Sequence, residues 1–435
     1  MQSNRDRAVA VFKVLGFVLA LDVFFIAIKL LGAFKDIGSG MGESMMVELA
    51  SRPVLGLLLG ILVTSVIQSS STTTSLVVGL AASGVFGNTP EEAMGAAVPL
   101  IMGANIGTTI TNTIVSFGHI GDDDEFRRAF SAATVHDIFN FITVLLLFPL
   151  QVTTNFLGAM SVWLSDLLVE VGGLTLVNPL HYVVNPQVDA VEALFEVTAV
   201  GDFVIILALV IGTMAALGYL EKRQRLEKRG KGPVAGVVLA ITGVALAVKT
   251  YHAFIFSKPL AIFVAGLGLL LLALWAMVSI MRKVVLVRAQ RLFRSYVFTS
   301  ATRALLVGLV LTTLVQSSSV TTSLIVPLAG AGMVTLEQVF PYALGANLGT
   351  TVTALLAALS LGEPIGLAVA LAHLLFNGIG IALIFPLKAI RRLPLWLATN
   401  LANGAVRWKL LPVAYVLGLY LVLPIVLIWL GGEVD

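Results

Sequence analysis

The sequence predicts an all-α polytopic membrane protein with two inverted-topology repeats, and composition, apolar runs and internal repetition support this fold class. The chain of 435 residues is 58% hydrophobic and 12% charged, whereas soluble domains carry about 25% charged residues. Apolar runs at residues 199–220, 233–248 and 260–281 approach the roughly 20 residues that cross a bilayer as a helix. The sequence has no cysteine, which excludes disulfides, thiolate catalysis and cysteine-bound metals.

The chain begins with a basic segment ahead of an apolar stretch. Arg5, Arg7 and Lys13 precede that stretch, as in a signal peptide, but no small-residue cleavage site follows it. We therefore predict that residues 1–50 form a retained first helix and an outward connection.

Basic residues cluster in short connections between the apolar runs. The clusters lie at residues 221–231, 282–294 and 388–392, and short loops rich in Lys and Arg stay on the cytoplasmic side. Residues 129–220 contain acidic residues but no Lys or Arg, so a loop there should face outward. The pattern indicates a multi-pass protein of the cell inner (plasma) membrane with loop 221–231 in the cytoplasm. Basic connections this short do not favour nucleic-acid binding.

Three sequence blocks occur twice in the same order, which indicates an internal duplication typical of secondary transporters. The first copies are Gln68-Ser69-Ser70-Ser71, Gly103-Ala104-Asn105-Ile106-Gly107-Thr108-Thr109, and His136 with Phe139 and Asn140. The second copies are Gln316-Ser317-Ser318-Ser319, Gly345-Ala346-Asn347-Leu348-Gly349-Thr350-Thr351, and His373 with Phe376 and Asn377. We assign repeat 1 to residues 51–150, an outward loop and central spans to residues 151–294, repeat 2 to residues 295–390, and a C-terminal helical region to residues 391–435.

The basic loops also predict how the two repeats lie in the membrane. Counting spans from the cytoplasmic loop 221–231 gives about nine crossings plus two re-entrant hairpins. The first hairpin, near residues 52–84, then starts outside, and the second, near residues 295–331, starts inside. Opposite starting sides define an inverted repeat, in which the two halves alternate access to a midplane site.

The Gln-Ser-Ser-Ser blocks place polar side chains within apolar helical runs. Irregular backbone at membrane depth is tolerated only where it is buried in protein or lines a watery cavity. Gln and Ser oxygens can ligate Na⁺, while Ser hydroxyls and backbone N–H groups can donate to an anion. The Gly-Ala-Asn blocks predict a broken helix in each repeat, since glycines let the backbone open. The alternative is that these small and hydroxyl residues only pack and bond helices together.

Asp137 is an acidic residue inside an apolar run, and ionisable residues within a membrane are functional candidates. Its position in the second half is occupied by Leu374, so the sequence predicts a cation site in one half only. The alternative is an ion pair between Asp137 and Arg127 or Arg128. His136 and His373 occur in both halves, where packing is at least as good an explanation as proton transfer.

These motifs resemble the type II sodium/phosphate cotransporter family. The resemblance rests on both Gln-Ser-Ser-Ser hairpins, on the Gly-Ala-Asn-Ile-Gly-Thr-Thr block, and on residues 125–130 and 133–137. It implies hairpins that enclose sodium and phosphate, and an electrogenic member, since electroneutral members carry Gly in place of Asp137. Animal members often read Gly-Asp-Arg at residues 121–123, where this chain has Gly-Asp-Asp. The chain also lacks their long cysteine-bearing loop, as expected for a compact bacterial relative.

Residue chemistry and the resemblance together give two sets of candidate ligands. The phosphate set is Ser69, Ser70, Ser71, Asn105, Ser318, Ser319 and Asn347. The sodium set is Gln68, Asp137, Asn140, Gln316, Ser317, Thr350 and Thr353. Sodium is the coupling ion, no cofactor or transition metal is expected, and the oligomeric state is not readable from the sequence.

The same residues are compatible with other functions. A sodium-coupled carrier of another small anion, such as sulfate or a dicarboxylate, would use similar hairpins. A passive channel is disfavoured by the inverted hairpins. An intramembrane hydrolase is disfavoured because no Gly-x-Ser-x-Gly elbow is present and His136 and Asp137 are adjacent rather than spaced as base and orienting acid. We therefore expect a transporter and not an enzyme.

Overall fold

The structure of the chain, a computed structural model, describes residues 2–31, 52–87, 89–108, 110–170, 179–197, 258–295 and 297–432. Within these ranges the regular structure is entirely helical, as the sequence predicted. The predicted spans at 199–220 and 233–248 and the basic loop 221–231 lie outside the described residues.

The helices are numbered here in chain order. The first part of the chain forms α1 (Gln2–Leu30), α2 (Pro53–Ile67), α3 (Ser70–Ala82), α4 (Pro90–Gly107), α5 (Ile110–Ser116), α6 (Asp123–Thr154), α7 (Phe156–Glu170), α8 (Pro179–Val197) and α9 (Lys258–Ser295). The second part forms α10 (Ala301–Val315), α11 (Ser318–Ser323), α12 (Ile325–Gly330), α13 (Leu336–Leu361), α14 (Pro364–Ile384), α15 (Lys388–Arg407), α16 (Leu411–Leu417), a π-helical turn (Gly418–Val422) and α17 (Leu423–Gly432).

Six helical segments of the described chain are long and apolar enough to cross a membrane. They cover Pro90–His119, Asp123–Thr154, Ile262–Ile280, Leu336–Leu361, Pro364–Ile384 and Leu411–Leu430. The two helices before the Gln-Ser-Ser-Ser blocks, α2 and α10, are apolar but shorter, at 15 residues each. Helices of that length fall below the roughly 17–25 residues of a full crossing, which fits hairpins that do not span the bilayer.

The two halves of the chain interlock. Helix α3, from the first Gln-Ser-Ser-Ser block, packs against α13 and α14 of the second half. Helices α11 and α12, from the second block, pack against α5 and α6 of the first half. Each polar break is therefore surrounded by helices of both halves, and this interlocking positions the candidate site between the repeats.

Each Gly-Ala-Asn block lies on a helix that packs closely against the helix before the Gln-Ser-Ser-Ser block of the same half. Glycines set the spacing between these two helices. A Cβ added at Gly103 on α4 would lie 2.0 Å from the carbonyl oxygen of Leu57, and one added at Gly345 on α13 would lie 1.8 Å from that of Leu305. Real Cβ atoms do not approach that closely, so only glycine permits these contacts. The same close packing occurs in both halves, as expected for small residues at helix interfaces in membranes.

This packing corrects the prediction of a broken helix in the second repeat. Helix α13 runs without interruption from Leu336 to Leu361 and includes the whole Gly-Ala-Asn block. The glycines of this block allow α10 to pack closely against α13. Close packing therefore explains the glycines without a break in the helix. In the first repeat α4 ends at Gly107 and α5 begins at Ile110, and Thr109 lies outside the described residues, so a break there stays a prediction.

We expect Gly345→Ala to lower the stability of the protein by about 1–3 kcal/mol, the usual cost of overpacking a close contact. The matched control is Gly378→Ala, because Gly378 is also helical but has open space around an added Cβ. The control should be neutral or stabilising, since Ala is favoured over Gly in helices by about 1 kcal/mol. Thermal unfolding of the two purified variants in detergent checks this, and equal melting temperatures would contradict the packing account.

Candidate functional site

The two Gln-Ser breaks have the same backbone geometry. Gln68 has φ 60° and ψ 27°, and Gln316 has φ 61° and ψ 25°. Left-handed backbone is uncommon for residues other than glycine and costs roughly 1–3 kcal/mol. Apart from glycines, the described residues contain only one other example, Asn155. A left-handed glutamine therefore ends the helix before each break, and the two breaks share one backbone geometry.

Each glutamine side chain bonds to the turn before its break and to a threonine of a later helix. The amide nitrogens of Gln68 and Gln316 donate to the carbonyls of Ser65 and Thr313 in the preceding turn. The amide oxygen of Gln316 accepts a hydrogen bond of 2.7 Å from the Thr353 hydroxyl. This contact unites two residues that the sequence assigned to sodium.

The first half repeats this contact with a residue that sequence reasoning missed. The Thr111 hydroxyl donates to the amide oxygen of Gln68 over 2.9 Å. Thr111 follows the Gly-Ala-Asn block at the same distance as Thr353 follows the second copy. Extending the repeat alignment by two residues would have found it.

The serine after each glutamine starts a new helix. Ser69 and Ser317 have extended backbones, and their hydroxyls accept from the backbone N–H groups of Thr72 and Val320 over 3.2 and 3.4 Å. Side-chain oxygens at this position cap helix N-termini. The cap explains why the chain can stop and restart a helix within two residues.

The hydroxyls two residues further on reach across to the other half. Ser71 donates to the backbone carbonyl of Gln316 over 3.1 Å, and Ser319 donates to that of Thr108 over 3.2 Å. Both serines are buried, at 3% and 7% exposure. The phosphate candidates Ser71 and Ser319 therefore lie where the two halves meet. Ser70 and Ser318 are buried in the first turns of α3 and α11.

Four asparagines form a second connection between the halves, the amide cluster of Asn105, Asn140, Asn347 and Asn377. The Asn347 side chain donates to the amide oxygens of Asn140 and Asn377 over 2.8 and 2.7 Å. Asn140 donates to the backbone carbonyl of Asn105 over 2.8 Å, and Asn377 donates to its amide oxygen over 3.2 Å. All four are at most 2% exposed.

The cluster contains three predicted ligands and one that was not predicted. Asn377 appeared in the sequence as a repeated residue, but no site role was assigned to it. His373 also reaches the cluster, with its Nε2 3.4 Å from the amide oxygen of Asn105. The remaining sodium candidate on α13, Thr350, is buried and donates to the carbonyl of Ala346 in its own helix.

Asp137 is fully buried on α6, one turn before Asn140. Its Oδ2 accepts hydrogen bonds from Tyr420 over 2.9 Å and from Tyr415 over 3.1 Å. Both tyrosines belong to the C-terminal region, and no pattern in the sequence marks them as site residues.

The alternative ion pairs of Asp137 do not fit the geometry. Arg127 lies ten residues earlier on the same helix, about 15 Å along its axis, and forms a salt bridge with Asp124. The Arg128 Nε donates to the carbonyl of Gly330 over 2.9 Å. Arg127 and Arg128 therefore have other partners near the start of α6, and Arg128 contacts the second hairpin.

Comparison with known proteins adds an independent line of information. A family model described as Na+/Pi-cotransporter matches residues 23–175 and 269–393. Sodium-dependent phosphate transport protein 2B of Pongo abelii is 33% identical, over 94% of this chain and 63% of that protein. Protein 2A of Rattus norvegicus is 34% identical, over 94% of this chain and 65% of that protein. The chain thus spans less than two thirds of the length of these relatives. No solved structure gives a significant match.

Proposed function

The chain belongs to the Na+/Pi-cotransporter family, and from that premise we propose that it is a secondary active transporter that carries inorganic phosphate together with sodium. The observation that carries the proposal is the meeting of two equivalent Gln-Ser breaks, each in contact with the other half of the chain. A site shared by two related halves suits alternating access, because small movements of one half against the other change which side it faces. The inverted orientation of the repeats is part of this proposal.

We assign phosphate to the serine hydroxyls of the two breaks. Ser71 and Ser319 now donate to neutral backbone carbonyls. Anionic oxygens are stronger acceptors, and hydrogen bonds to them are roughly twice as strong as bonds between neutral groups. A bound phosphate would therefore draw these hydroxyls from the carbonyls, with Ser69, Ser70, Ser318, Asn105 and Asn347 as the further proposed ligands.

We assign one sodium ion to the neighbourhood of Gln316. The Thr353 hydroxyl brings its oxygen within 2.7 Å of the Gln316 amide oxygen. A hydroxyl has two acceptor lone pairs and a hydrogen that rotates, so a cation can replace the hydrogen bond and use both oxygens. Ser317, Thr350 and Asn140 complete the proposed set, and Gln68 is the equivalent candidate in the first half.

Asp137 is the proposed ligand of a further sodium ion. It is a buried carboxylate with no equivalent in the second half, where Leu374 stands. Two sodium ions with divalent phosphate carry no net charge, so a third ion at Asp137 makes transport electrogenic. We further propose a location in the cell inner (plasma) membrane with loop 221–231 in the cytoplasm, on the basis of the basic connections.

The function is tested by uptake of labelled phosphate into vesicles that contain the purified protein. We expect uptake with external sodium and none above empty vesicles when potassium replaces sodium. Excess sulfate or dicarboxylate should not compete, whereas unlabelled phosphate should. Strong competition by sulfate or a dicarboxylate would instead favour the carrier of another small anion.

A further inference from the structure

The C-terminal region contains a π-helical turn, Gly418–Val422, that the transport proposal does not use. Within it the backbone N–H of Leu423 bonds to the carbonyl of Gly418, five residues earlier. π-helical turns are rare and frequently occur at functional sites. This one lies between α16 and α17, within a segment long and apolar enough to cross a membrane.

The turn changes which residues share a face of the helix. In a regular α-helix, residues five apart point about 140° away from each other. Tyr415 and Tyr420 are five apart, yet their hydroxyl oxygens lie 3.3 Å from each other and their ring centroids 5.8 Å. The wider π turn therefore brings the two hydroxyls together.

Both hydroxyls converge on one buried carboxylate. Tyr415 and Tyr420 donate to the same oxygen of Asp137, Oδ2, over 3.1 and 2.9 Å. Tyr420 and Asp137 are both completely buried. Phe141, one turn further along α6, packs its ring 6.3 Å from that of Tyr420.

This arrangement addresses a physical difficulty of any cation site that must empty during each cycle. A buried carboxylate without a cation is costly unless it is hydrogen-bonded. Two hydroxyl donors stabilise its charged form. Both donors bond the same oxygen, Oδ2, and so orient the carboxylate.

We propose that Tyr415 and Tyr420 are positioning residues of the Asp137 cation site, which hydrogen-bond its carboxylate and orient it for the ion. The inference rests on the proposed function, in which Asp137 binds the third sodium ion. The tyrosines then set the sodium concentration at which that site is half occupied. The π-helical turn places both hydroxyls next to Asp137.

The test uses the double variant Tyr415→Phe/Tyr420→Phe, which removes both hydroxyls and keeps both rings. The sodium concentration for half-maximal phosphate-evoked current should rise at least about tenfold, equivalent to about 1.4 kcal/mol. The ratio of charge to phosphate should stay at the wild-type value, because Asp137 is still present. Each single variant should give an intermediate shift.

Phe141→Leu is the matched control, since it disturbs the packing of Tyr420 and leaves both hydroxyls in place. It should leave the half-maximal sodium concentration unchanged, so a shift as large as that of the double variant would overturn the inference. In an Asp137→Gly background, where labelled phosphate uptake replaces the current as readout, the tyrosine substitutions should no longer change the half-maximal sodium concentration, because the effects of interacting residues are not additive.

The outcomes separate this inference from the proposed function. If the wild-type protein passes current and the double variant shifts the half-maximal sodium concentration less than twofold, the tyrosine inference is wrong and the transport proposal stands. If the wild type passes no current, the third sodium site and the inference both fail. If the double variant is too unstable to reconstitute, the single variant Tyr415→Phe replaces it. The readout is then the sodium concentration that gives half of the sodium-dependent rise in melting temperature in detergent. A shift of less than twofold from the wild type again contradicts the tyrosine inference.

Discussion

Gln316→Ala should reduce sodium-dependent phosphate uptake by about a hundredfold or more. The Gln316 side chain contacts Thr353 at the proposed sodium site, and hydrogen bonds to charged groups contribute about 1.5–3 kcal/mol each. The substitution removes the Gln316 oxygen and the hydrogen bond that holds the Thr353 oxygen in place. Losing both oxygens as sodium ligands removes about 3–6 kcal/mol of binding free energy. Gln68→Ala should act in the same way through its contact with Thr111. Uptake at saturating phosphate over a range of sodium concentrations measures both effects.

A loss of uptake in Gln316→Ala could also come from backbone strain, because alanine disfavours the left-handed conformation. A glycine at the same position removes the side chain without that strain, so it distinguishes the two explanations. Gln316→Gly suits the left-handed backbone of Gln316, so it should fold well and still fail to transport. Asn155→Ala is the matched control, because Asn155 has the third left-handed backbone, with φ 48°, and lies outside the site. Near-normal uptake by Gln316→Gly would show that the glutamine only forms a turn.

Asp137→Gly should convert electrogenic transport into electroneutral transport. The variant would lose the third sodium ion and the charge it adds to each cycle. One charge is equivalent to about 2.3 kcal/mol per 100 mV, and a tenfold sodium gradient on that ion to about 1.4 kcal/mol. At 100 mV and a tenfold sodium gradient, these terms add about 3.7 kcal/mol to the driving force of the wild type. The inside-to-outside phosphate ratio that the wild type can reach should therefore be roughly 500-fold higher than that of the variant.

The measurement for this prediction is phosphate-evoked current on a supported membrane, with labelled uptake in the same preparation. Asp137→Asn is the control, because it keeps the helix and an acceptor for the two tyrosines and lacks the charge. Both variants should take up phosphate and ignore an imposed potassium-diffusion potential. An unchanged ratio of charge to phosphate in Asp137→Gly would remove Asp137 from the cation site.

The sequence predicted the features that depend on local pattern. A polar tetrapeptide inside an apolar run is costly in lipid, so its two copies marked the breaks at Gln68 and Gln316 correctly. The helical fold followed from composition. The structure also brings Gln316 and Thr353 into contact, and their shared sodium role stays a prediction.

Other features depend on contacts that a single sequence does not specify. Glycines at Gly345 and Gly349 are compatible with an open backbone and with close helix packing, and the structure shows packing. Asn377 joined the candidate site only through the amide cluster. Tyr415 and Tyr420 lie outside the repeats, and the π-helical turn that aligns them carries no sequence signature.

The central claim is that sodium drives phosphate uphill through this chain, and accumulation in sealed vesicles tests it most directly. Vesicles with purified protein, equal phosphate on both sides and an inward sodium gradient should take up labelled phosphate to a transient level above the external concentration. The level should then fall as the sodium gradient dissipates, and an inward potassium gradient should produce no such rise. A phosphate level that only approaches the external concentration, with either cation, would contradict coupled transport and indicate a passive pathway.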